Sequence, residues 1–164
     1  SEAEKFIEGF KETQLIPINK NEINWMLEFP WIISDPSELD EQLAKKYYFS
    51  SLSKSFSNSL YKVYKSEQLI AVLIFSTRDN DLKIPYAFFN DSDSNSVSKA
   101  IYAIAINNKV ASLTCFNTTL IKEFQTTKKL FIFNKQLHKN IAYPADLNVN
   151  SNMLQDGDGD AVFC

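Results

Sequence analysis

Few residues in this chain combine the type and the setting that chemistry needs. The only histidine, His138, stands in Lys135-Gln136-Leu137-His138-Lys139. That polar run reads as a solvated segment, not as a base held over a substrate. Of the two cysteines, Cys115 lies in the apolar run Leu113 to Phe116 and reads as a buried thiol. Two cysteines are too few for a disulfide framework. Glu67, Asp79 and Asp81 are carboxylates that could take a proton from an amine, yet all three fall in turns, where acids are expected for conformational reasons. Tyr86 and Tyr102 carry phenols, and packing explains each as readily as proton transfer. Asp156-Gly157-Asp158-Gly159-Asp160 places acids at alternate positions, as a Ca²⁺ loop does, but Ala161 stands where such a loop needs glycine. The expectation there is a tight acidic turn without a metal, its glycines supplying positive φ.

The elements that would position such groups fall in two parts, a helical one over residues 1–59 and a sheet-forming one over 60–164. In the first, Ala3, Phe6, Ile7 and Phe10 recur at helical spacing. Leu15 to Ile18 is apolar but broken by Pro17, at best a short edge strand. Asn19 or Asn21 can cap a helix through Ile23, Trp25, Met26 and Leu27, ended by Pro30. Asp35-Pro36-Ser37-Glu38 opens another, with Leu39, Leu43 and Tyr47 on one face. Trp25, Phe29 and Trp31 are expected to pack this layer onto the sheet, the competing reading being the wall of an aromatic pocket shared with Tyr86. Ser50 to Ser59 holds six serines and reads as a loop.

In the second part, 60–64, 69–77 and 82–89 read as three consecutive strands, joined by turns at Ser66-Glu67 and Asp79-Asn80-Asp81. Leu69 to Phe75 is apolar on both faces and belongs at the centre of a sheet. In the third strand, alternation puts Leu82, Ile84, Tyr86 and Phe88 on one side and Lys83, Pro85, Ala87 and Phe89 on the other. Pro85 has no N–H, so the pairing must open or bulge there. Ser94 or Ser96 caps a helix over 97–107, whose Val97, Ala100, Ile101, Ile104 and Ala105 face the core. A strand over 111–116 follows and must run parallel to its partner. Asn117 caps a further helix through Leu120, Ile121 and Phe124. Leu130 to Phe133 reads as a strand, and a last strand is expected near 153–154 or 161–163.

Antiparallel meander, then β-α-β, with helices on both faces of a mixed sheet, makes an α/β (α+β) domain over 1–164. This order resembles the Gcn5-related N-acetyltransferase (GNAT) fold. The resemblance rests on element order over about residues 13 to 164. It implies an acyltransferase that uses acetyl-CoA, taken by a slot where two neighbouring strands splay. It implies further that the pantetheine arm pairs with exposed backbone at Tyr86, Ala87, Phe88 and Phe89, near Asn117, and that the pyrophosphate rests on the next helix start at Ser94, Asn95 and Ser96. The acceptor would be a small-molecule or peptide amine. Two departures stand out. The family's loop has Arg or Gln, two residues, Gly, any residue, then Gly or Ala. Here 90–96 has no basic residue and no glycine, but Asp91 and Asp93. The family's proton-donating Tyr, seven residues beyond an Asn, falls at Phe124 counted from Asn117. The alternative is therefore a catalytically inactive GNAT-like module that acts as scaffold or interaction domain.

Composition narrows the partners. A net charge of −3 with scattered Lys and Arg gives no basic stripe for nucleic acid. No 18-residue apolar run exists to span a membrane. A cytoplasmic protein is the expectation. Ser1 at the start suggests a processed or excised chain with an upstream domain of the same protein.

Overall fold

A four-stranded sheet ordered β3-β4-β5-β6 carries the molecule, with β3 at Phe56–Lys65, β4 at Gln68–Arg78, β5 at Asp81–Phe89 and β6 at Ser112–Cys115. The first two pairings are antiparallel and the third is parallel. The computed structural model describes residues 1–14, 17–28, 33–34, 52–53, 55–126, 135–137 and 155–158. The expected helix over 35–48, the strand over 130–133, the last strand near 153–154 or 161–163, residues 15–16, Phe29, Trp31 and His138 lie outside the described residues. Ile33–Ser34 (β1) and Leu52–Ser53 (β2) form a short parallel pair apart from the main sheet.

The centre of the sheet follows from its sequence. Ile70 to Phe75 of β4 are all buried, covered from both sides. One face packs against α1 (Glu2–Glu8) and α2 (Lys20–Glu28), burying Ala3, Ile7, Ile23 and Met26 with Val72, Ile74, Tyr86 and Phe88. The other face packs against α3 (Ser94–Asn107) and α4 (Thr118–Thr126), burying Val97, Ile101, Ala105 and Leu120 with Leu73, Phe75, Leu82, Ile84, Ala87 and Phe89. Helices therefore stand on both faces of a mixed sheet.

Caps fix where the helices begin. Asn19 Oδ1 accepts from the backbone N–H of Asn21 and Glu22, and Glu22 returns a carboxylate to the N–H of Asn19. Asn117 Oδ1 accepts from Leu120 N–H at 3.0 Å and starts α4. The hairpin at Ser66-Glu67 takes φ of 48° and 67°, the left-handed pair that a two-residue turn between twisted strands requires.

Two expectations are corrected. The face assignment for β5 fails beyond Ile84. Ile74 pairs with Tyr86 but Ser76 pairs with Lys83, so Phe75 faces both Ile84 and Pro85. That bulge, at the residue without an N–H, shifts the parity of the strand. Leu82 and Ile84 thus share a face with Ala87 and Phe89, whereas Tyr86 and Phe88 face α1 and α2. The serine-rich run also departs from a loop, since Phe56 to Ser59 belong to β3. Backbone pairing with β4 suffices for a strand there. Ser55 and Asp79 close its end with reciprocal hydrogen bonds, and Asn58 Nδ2 donates to Met26 O of α2 at 2.7 Å.

Candidate functional site

The site is built by the same proline. Strand β6 pairs with β5 only over Asp81–Ile84, where Cys115 meets Ile84 and the ladder stops. Beyond it β5 runs on through Pro85–Phe89 beside β4, while the chain after β6 turns away at Phe116-Asn117 into α4. Between them opens a cleft of about 550 Å³, lined by Ala87, Phe88, Phe89, Asn90 and Asp91 on the β5 side and Phe116 to Thr119 and Lys122 on the α4 side. Phe10, Thr13, Gln14 and Gln155 complete the wall. The lining draws on β5 residues of both core faces, Phe88 of one and Ala87 and Phe89 of the other.

The edge of β5 offers backbone groups here. Ala87 N–H donates to Gln155 Oε1 at 2.8 Å, so a side-chain carboxamide stands where a strand carbonyl would. By the alternation of a ladder, Ala87 C=O and Phe89 N–H face the same edge. Asp156, 4% exposed, follows Gln155 and sets Oδ2 3.3 Å from Lys83 Nζ. Gly157 then lies on the Tyr86 ring, where any Cβ would collide with Cε2 and Cζ. Glycine is thus required by close approach. The expected positive φ is absent, since no glycine among the described residues has one.

Of the eight residues expected to bind cofactor, Ala87, Phe88, Phe89 and Asn117 line the cleft. Tyr86 does not; the bulge turns it under Gly157, stacked on Phe88 with ring centroids 6.1 Å apart. Ser94, Asn95 and Ser96 lie on the first turn of α3, outside the cleft.

That first turn already carries an anion. Glu123 of α4 accepts from Ser94 Oγ at 2.9 Å through Oε1 and from Asn95 Nδ2 at 3.2 Å through Oε2. A carboxylate near the positive end of a helix dipole is favourable by itself. Asp91 and Asp93 flank the same end, the first accepting from Thr119 Oγ1 and the second 3.9 Å from Lys65 Nζ. A phosphate about 4 Å from one such carboxylate would be repelled by roughly 1 kcal/mol in water and about 4 at an effective dielectric near 20. The residues at this helix start do not fit a pyrophosphate.

The remaining candidates are spoken for. Tyr102 is 6% exposed, its hydroxyl donates to Phe124 O at 3.4 Å, and burial pushes its phenol pKa up. Phe124 packs on it with ring centroids 5.1 Å apart. Burial, with the Asp156 charge adding to it against the carbonyl of Asn117, pushes the Cys115 thiol up to about 12, so it is no nucleophile at neutral pH. Asp81 accepts from Ser112 and Asp79 from Ser55, both as turn acids do. Trp25 stands 44% exposed on α2, and the cleft's aromatic lining comes from Phe10, Phe88, Phe89 and Phe116. Among the described residues no group of three or more His, Cys, Asp or Glu is arranged to hold a metal, and no helix is long and apolar enough to cross a membrane.

Sequence reasoning missed Thr13, Gln14, Lys122 and Gln155. Three lie on short connections or helix surfaces with no motif to mark them. Gln14 closes the polar run Lys11-Glu12-Thr13-Gln14, and nothing in the sequence singles it out. It is 6% exposed, and its Oε1 accepts from Ile18 N–H at 3.1 Å. Comparison with protein-family models, characterised proteins and solved structures finds no match to this chain.

Proposed function

We propose that this chain is a GNAT-like acyltransferase domain that moves an acyl group from acetyl-CoA, or a related acyl-pantetheine thioester, to an amine. The reading is carried by one observation: the β5–β6 ladder ends at Ile84 and Cys115, and an open cleft follows, lined on the β5 side by Ala87, Phe88 and Phe89. Three extended residues run about 10 Å, enough for one amide of the arm to pair along the edge once Gln155 gives up the Ala87 N–H. The thioester would supply the activated acyl carbon; the chain's part is to align the arm and exclude water. The phosphates lie outside the Asn90–Ser96 loop in this reading, because Asp91, Asp93 and Glu123 leave no site for them there. Pantetheine should therefore bind nearly as tightly as acetyl-CoA.

A second reading, a catalytically inactive module that serves as scaffold or interaction domain, is favoured by a separate observation. Glu123 closes the helix start that the family uses for phosphate, and Phe124 stands where it uses a phenol. Calorimetry with acetyl-CoA and with pantetheine, followed by a turnover assay over a panel of small-molecule and peptide amines, separates the two. Saturable binding with turnover supports the transferase. Binding without turnover supports the inactive module, and no heat with either ligand at millimolar concentration removes the proposal.

A further inference from the structure

We infer that Gln155 is a built-in competitor for the ligand. Its carboxamide holds the Ala87 N–H that an amide of the bound arm must take, an autoinhibitory contact that binding has to displace. The inference rests on the cleft's being a ligand site and adds what guards it.

Ala87 lies beyond the end of the β5–β6 ladder, which stops at Ile84 and Cys115. Its N–H points to the edge that no described strand pairs, and Gln155 Oε1 accepts from it at 2.8 Å, an ordinary amide hydrogen bond. Both residues line the cleft. A glutamine carboxamide and the amide of a pantetheine arm present the same kind of carbonyl acceptor. A single N–H makes one well-aligned hydrogen bond, so the two acceptors exclude each other at this atom.

The residues after Gln155 are tied down outside the cleft. Asp156 is 4% exposed, with Oδ2 3.3 Å from Lys83 Nζ, and Gly157 lies against the Tyr86 ring. Of the described residues 155–158, Gln155 alone lines the cleft. The main chain is thus anchored along β5 while one partly buried side chain reaches in. Anchoring keeps the competing carbonyl at high local concentration. Yet the side chain has three rotatable bonds, so it can leave the N–H by changing rotamer while Asp156 and Gly157 stay in place. One such hydrogen bond is worth about three- to tenfold in an equilibrium. That holds the resting arrangement closed, and a ligand with further contacts along the cleft can still displace it.

The test uses the whole chain with pantetheine, which is neutral and carries two amides. Gln155→Ala removes the competing carbonyl, and Gln155→Glu replaces it with a carboxylate, a stronger acceptor for the same N–H. Calorimetry should show pantetheine bound about three- to tenfold tighter by Gln155→Ala than by the wild type, and more weakly by a similar factor in Gln155→Glu. A purely structural contact would not move affinity in opposite directions. Should Gln155→Ala fail to fold, Gln155→Asn gives the same reading, because its carboxamide stops one C–C bond short of the N–H. In the ¹⁵N-labelled wild type, the Gln155 side-chain NH₂ resonance, assigned by its loss in Gln155→Ala, should shift as pantetheine is added. Unchanged or weakened binding in folded Gln155→Ala, or a Gln155 resonance that stays still while the wild type binds, overturns the inference and leaves the cleft as a ligand site. Binding that appears only in Gln155→Ala supports it. Absence of pantetheine binding to both proteins overturns the inference and the transferase reading together.

Discussion

Single residues decide more of this site than any motif does. Pro85 is the clearest case. Its missing N–H was readable in the sequence as a break in pairing, and the bulge falls at Ile84 and Pro85. Its consequence was not readable, because parity downstream of a bulge depends on which strand takes the extra residue. Simple alternation from Leu82 and Ile84 therefore puts Tyr86 on the wrong face. The same face brings Tyr86 under Gly157. Gly157→Ala is expected to destabilise the protein by about 1–3 kcal/mol through overpacking against the ring, measured by urea denaturation. If the ring is the cause, Tyr86→Ala in the same chain should recover part of that loss, so that the double variant is more stable than the sum of the single effects predicts. Strict additivity would place the cause elsewhere.

At the level of elements, the decisive contact is between two helices. The start of α3 is held by a carboxylate from α4, with Glu123 spanning Ser94 and Asn95. Helix caps at Asn19 and Asn117 were legible because each acts within its own turn. Glu123 was not, because its partners lie 29 and 28 residues away and are brought near only by packing. The sequence did show that the loop before α3 is acidic and lacks glycine, and the added carboxylate sharpens that departure. Glu123→Ala should lower stability by about 1–2 kcal/mol, the worth of a dipole interaction plus hydrogen bonds to a charged acceptor. It should also raise the affinity for acetyl-CoA while leaving that for pantetheine unchanged. Thermal denaturation reads the first effect and paired calorimetric titrations the second. Equal gains for both ligands would mean that Glu123 does not act on the phosphates.

Across the whole molecule, the order of elements was legible and the cleft was only half so. Apolar runs such as Leu69 to Phe75, the turn at Ser66-Glu67 and the helical spacing of Val97, Ile101 and Ala105 each act locally, and the sheet and its flanking layers follow from them. Ala87, Phe88, Phe89 and Asn117, named from the resemblance in element order, do line the cleft. Gln14, Lys122 and Gln155 reach the cleft from other layers, and no local pattern announces that convergence. The proposed ligand, an extended amide-bearing arm, would lie along Ala87–Phe89, which no described strand pairs on the β6 side, across from the start of α4. The most direct test of that placement is an NMR titration of the ¹⁵N-labelled chain with pantetheine, following backbone amides. Saturable shifts are expected to concentrate at Ala87, Phe89 and Asn117 to Leu120, with Ala87 affected as Gln155 releases its N–H. Shifts confined to other surfaces, or none at millimolar pantetheine, would contradict it.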